Sequence, residues 1–130
     1  MDADKFLDTL IKATKEETLH WVKVPDRMQE RISDVTAGIV GAYFIDRDQS
    51  KVVVYQYKYV DTDEGTEGVS IHISFTDADF RVKYELNGSD FGPNKEAALF
   101  RLYKLIQRKA NNIDKVMEEF INDFSDKPPF

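Results

Sequence analysis

The spacing of apolar positions changes twice along this chain, from a helical period to a strand period and back again. Phe6, Leu7, Leu10, Ile11 and Thr14 recur at three- and four-residue intervals, with Lys5, Asp8, Lys12 and Lys15 on the other side. Residues 3 to 17 therefore predict an amphipathic helix. Asp2 or Asp4 can cap its free amides and suits the positive end of its dipole. Leu19 to Val24 is β-prone and stops at Pro25, which predicts a short strand. Pro25 to Val35 fits either reading: Met28, Ile32 and Val35 suit one or two helical turns, or a loop.

Four runs in the middle have strand composition: Ala37 to Ile45, Lys51 to Val60, Val69 to Phe75 and Phe80 to Leu86. Their connectors are short, polar and turn-forming, so neighbouring strands should pair as antiparallel hairpins. The last two runs alternate. Val69, Ile71, Ile73 and Phe75 oppose Ser70, His72 and Ser74, while Phe80, Val82, Tyr84 and Leu86 are expected to face inward. The first two runs are apolar on both faces, so something should cover both. The N-terminal helix on one face and the C-terminal helices on the other would do so. A second subunit would also do so.

Helical periodicity returns from Lys95 to Ala110, with Asn94 as the expected N-cap and Ala98, Leu99, Leu102, Tyr103, Ile106 and Ala110 as the buried stripe. Asn111-Asn112 marks a break. A second segment runs to about Phe124 and is expected to bury Ile113, Val116 or Met117, Phe120, Ile121 and Phe124. The tail from Ser125 to Phe130 should fray. The fold class is α+β: a helix, an antiparallel meander of four to five strands, then two helical segments. At 130 residues this is the size of one domain.

Composition narrows the function. A formal charge of −6 works against phosphate-backbone binding and against anionic membranes, so nucleic acid and lipid are not expected partners. A basic or neutral protein partner remains allowed. With no cysteine there is no disulfide framework, thiolate nucleophile or Cys-based zinc site. Met1-Asp2-Ala3-Asp4 carries acid where a secretory signal needs base, so a cytoplasmic location is expected.

Two stretches carry a family resemblance. The run from Phe6 to Trp21 (FLDTLIKATKEETLHW) resembles the start of a loose set of small, poorly characterised bacterial and mobile-element, phage-like proteins. The run from Leu102 to Asp114 (LYKLIQRKANNID) is similar to the final helix of the same set. The resemblance implies helices flanking a meander and a bacterial or phage-like origin. Its motifs are helix-packing patterns, so it implies no reaction, cofactor or site residue.

Three constellations are candidates for function. Asp46 and Asp48 should share one end of the meander with Asp77 and Asp79, as an acidic patch or as ordinary turn chemistry. The run from Asp61 fails the calcium-loop template, with Thr66 where Gly is needed and His72 where Glu is needed. Arg101, Lys104 and Arg108 fall on one helix face with Lys109 beside them, either holding an anion or forming a solvated back. Tyr55, Tyr57 and Tyr59 share one strand face, as a binding surface or as core. His72 lies two residues from Ser70 and from Ser74, about 7 Å at Cα, outside any recognised nucleophile motif. The sequence therefore reads as a non-catalytic protein-binding module of the immunity, inhibitor or anti-defence kind, without metal or cofactor. The alternative is a binder or sponge for a small anionic, nucleotide-like ligand, and a homodimer is compatible with either.

Overall fold

The computed structural model describes residues 2–32 and 38–125, the side chain of Asp61 excepted. Within them the chain runs α1 (Ala3–Lys15), β1 (Val22–Lys23), a 3-10 turn (Asp26–Arg31), β2 (Ile39–Arg47), β3 (Ser50–Asp61), β4 (Thr66–Asp77) and β5 (Val82–Leu86). A short 3-10 turn (Gly88–Asp90), α2 (Glu96–Ala110) and α3 (Ile113–Phe124) complete it. The five strands form one antiparallel meander in the order of the chain. The expected α+β architecture is the observed one. Val35, the strand start at Ala37 and the tail beyond Ser125 lie outside the described residues. No described helix is long and apolar enough to cross a membrane.

Both long helices lie on the same face of the sheet. Leu7, Leu10 and Thr14 of α1 and Leu99, Leu102, Tyr103 and Ile106 of α2 are buried, as their periodicity requires. They pack on Tyr43, Ile45, Val52, Val54, Ile71, Ile73 and Leu86, so alternate residues of four strands line the main core. Asp2 caps α1 by accepting from the Lys5 amide at 2.9 Å, which leaves Asp4 to accept from the Gly92 amide. That second bond ties the loop before α2 to the first helix.

The opposite face carries a second apolar cluster. The expected cover was a helix on each side or a second subunit; instead the 3-10 turn Asp26–Arg31 and its cap residue Ile32 lay Met28 and Ile32 over Val24, Ala42, Val53, Tyr55 and Phe80. The stretch that fitted two readings is thus the lid of a small core. Lys51 closes one end of it, with its ammonium 4.8 Å from the Phe44 ring centroid and 5.0 Å from that of Phe80.

Three expectations fail locally. Phe80 does not share a face with Leu86: its φ of 66° and a register shift between Phe75 and Thr76 turn it onto the second cluster. Tyr84, paired with Phe75 on the helix-covered face, is nevertheless exposed at the sheet edge, and Val69 is exposed too. Asn94 is not the N-cap of α2. It takes a left-handed conformation, and Lys95 occupies the cap without a side-chain bond. The Asn111-Asn112 break is observed, with Asn112 left-handed at φ 52°, a conformation Asn tolerates.

The largest departure is α3. None of its residues is buried; Ile113, Val116, Met117, Phe120, Ile121 and Phe124 are all exposed, Phe120 by 63% and Phe124 by 69%. The sequence predicted a buried stripe because an apolar helical period normally faces a core. Here α1 and α2 already cover that core. The left-handed Asn112 directs α3 away from the sheet, with α2 as its main neighbour.

Candidate functional site

Two places concentrate chemistry: the second sheet face around His72, and the groove between α2 and α3. On the sheet, the ladder places Tyr55 opposite His72, Tyr57 opposite Ser70 and Tyr59 opposite Gly68. The β4–β5 pairing places Glu85 opposite Ser74, diagonal to His72. The result is a hydrogen-bonded row. His72 Nε2 lies 2.9 Å from Ser70 Oγ, and its Nδ1 lies 3.0 Å from Glu85 Oε1 and 2.9 Å from the Tyr55 hydroxyl. Tyr55 also donates to Glu85.

One proton arrangement satisfies the row. Nδ1–H and the Tyr55 O–H donate to the Glu85 carboxylate, and Ser70 O–H donates to Nε2 of a neutral imidazole. Burial lowers the His72 pKa from 6.5, which favours that neutral form. The order Ser70, His72, Glu85 is that of a nucleophile, its base and the group orienting the base. Ser70, however, lies within a strand paired to Tyr57, not on the sharp strand-to-helix turn that presents a hydrolase nucleophile. Next along the same face, Ser74 Oγ is buried without a hydrogen-bond partner among the described residues.

The tyrosine row therefore divides along its length. Tyr55 is buried core with its hydroxyl in the polar row, Tyr57 is half-buried against the second cluster, and Tyr59 is exposed. Tyr57 and Tyr59 stack at 6.4 Å, and the Tyr59 ring lies against Gly68, where a Cβ would collide with it.

The acidic turns do share one end of the sheet, since Ser50 pairs with both Arg47 and Asp77. Two of their carboxylates, those of Asp46 and Asp77, serve local structure. Asp46 is paired with Lys51. Asp77 accepts from the amides of Asp79 and Arg81 at 2.9 and 3.0 Å, and the Arg81 bond is the chief cause holding its pKa below 3.8. Asp48 occupies a left-handed turn position, and the Asp79 carbonyl accepts from Arg31. Among the described residues no three acidic or histidine side chains converge as metal ligands would.

The predicted basic residues come together in the second place. Arg101, Lys104 and Arg108 line a groove of about 560 Å³ with Leu105, Gln107 and Asn111 of the α2 end and Ile113 and Met117 of α3. Arg108 is held by Asp114, 2.7 Å from its Nε. Arg101 and Lys104 have no ion-pair partner among the described residues. Lys109 is turned away and paired with Glu17 at 2.7 Å.

Sequence reasoning missed Glu85 and Tyr55 as neighbours of His72, because only strand register brings them there. It missed the groove because it buried α3. The apolar period of α3 was the available signal, and nothing local indicated that it would be bare. No family model matches this chain, and no curated protein and no solved structure matches it.

Proposed function

We propose that this protein is a protein-binding module whose docking element is α3 with its adjoining groove. One observation carries the reading: six large apolar side chains stand exposed along one face of a single helix. A contiguous apolar stripe between polar rims is characteristic of a surface that becomes covered by another macromolecule. Phe120 and Phe124, whose ring centroids lie 4.6 Å apart, form the anchor of that stripe. The finer placement, an immunity, inhibitor or anti-defence protein of bacterial or phage origin in the cytoplasm, rests on the resemblance of the two end stretches and on the acidic balance of the chain.

A photo-crosslinking residue in place of Phe120, compared with one in place of Thr62, tests this in cells. Adducts of defined mass specific to position 120 support docking through α3. Equal or absent labelling at the two positions refutes it.

A second reading has its own support. The groove is of small-molecule size and combines an apolar floor with the cations Arg101 and Lys104, as an anionic, nucleotide-like ligand would require. It predicts a rise in melting temperature with such a ligand that Arg101→Ala abolishes.

A further inference from the structure

We infer that the occupant of the α3 surface is a second copy of this chain, each α3 seating in the α2–α3 groove of the other. This rests on the docking reading above and adds the partner's identity.

The warrant is complementarity within one molecule. The helical period places Asp114 and Glu118 along one edge of the apolar stripe of α3 and Glu119 and Asp123 along the other. The stripe is thus an apolar ridge with acidic rims. The groove is its inverse: Leu105, Ile113 and Met117 make the floor, and Arg101, Lys104 and Arg108 make a basic wall.

Charges on both sides lack ion-pair partners among the described residues. Asp114 is taken by Arg108, but Glu118, Glu119 and Asp123 have no ion pair among the described residues, and neither have Arg101 and Lys104. One chain therefore presents both an acidic apolar ridge and a basic apolar groove. Two such chains related by a two-fold axis satisfy both surfaces at once, each ridge meeting the other's groove. Covering Phe120, Ile121 and Phe124 supplies the attraction, and the charges set the register.

The two surfaces cannot satisfy each other within one chain. Ile113 and Met117 already form part of the groove floor, so the same short helix cannot also lie in it as the ridge.

Light scattering on the size-fractionated full chain at micromolar concentration is the test. Twice the chain mass is expected, and Phe120→Asp with Phe124→Asp should give a folded monomer. Both positions are exposed, so the circular dichroism spectrum should not change. A charge exchange makes the test specific. A chain with Arg101→Glu and Lys104→Glu, and another with Glu118→Lys and Glu119→Lys, should each be monomeric, while their mixture should form a heterodimer. Rising salt should weaken the wild-type dimer.

A wild-type monomer, a dimer that survives Phe120→Asp with Phe124→Asp, or charge-exchanged chains that do not pair when mixed would each overturn the proposal. A monomer that still crosslinks to a different protein from position 120 overturns the second-copy inference and leaves the docking reading standing.

Discussion

The indole nitrogen of Trp21 donates to Thr14 Oγ1 at 3.0 Å, and that hydroxyl in turn donates to the Leu10 carbonyl at 2.7 Å. Thr14 and Trp21 are both buried, so this short chain locks the end of α1 to the segment that enters β1. Thr14→Val keeps the shape but leaves the indole N–H unpaired in the core. A loss of about 1–3 kcal/mol is expected in urea denaturation, with Thr14→Ser losing less.

Gly41 lies against the hydroxyl of Tyr103. A Cβ at Gly41 would collide with the Tyr103 hydroxyl, and Tyr103 is itself buried against Tyr43 at 6.0 Å. Gly41→Ala should therefore destabilise the fold by roughly 1–3 kcal/mol. Tyr103→Phe removes the obstructing oxygen, so the double variant should recover part of that loss, a coupling that a double-mutant cycle measures directly.

Ser74 carries a hydroxyl in the core with no hydrogen-bond partner among the described residues. Ser74→Ala should be neutral or stabilising, by up to about 1 kcal/mol, because the buried group gains nothing from its oxygen. A higher denaturation midpoint would agree; a marked loss would show that the hydroxyl has a partner in solution.

Stability should depend on pH through His72, which faces Glu85, Tyr55, Tyr57 and Ser70. Its pKa in the folded chain lies below 6.5, so the unfolded chain binds the proton more tightly. Its contribution is complete above 6.5 and is lost as pH falls from there toward the folded pKa. Asp77 acts in a lower window: its pKa lies below 3.8, so its contribution holds above 3.8 and is lost as pH falls through the folded value. Denaturation midpoints measured on either side of pH 6.5 should fall on acidification in the wild type. The fall should be smaller in His72→Gln. An unchanged slope would refute the assignment.

How far the candidate sites were legible follows from the range of the forces that build them. The row Arg101, Lys104 and Arg108 could be read directly, since one helical period sets it. Their division into a bound Arg108 and an Arg101 and Lys104 without an ion pair among the described residues depends on Asp114, across the Asn111-Asn112 turn. The Tyr55-Tyr57-Tyr59 face could likewise be read from alternation alone. Its gradient from core to solvent follows from where the Asp26–Arg31 turn ends its cover over the sheet.

By itself the amino-acid order determined what local physics governs: α1, the hairpin turns, the meander and the Asn111-Asn112 break. Each depends on periodicity or turn chemistry within a few residues. Only the tertiary structure decided which face each element covers. It put α1 and α2 together, gave the second face to a 3-10 turn and brought Tyr55 and Glu85 onto His72 through registers that span two hairpins. It also left α3 bare. The apolar period of a helix specifies that one face seeks cover but not which surface supplies it, and here the sheet's helical face was already filled.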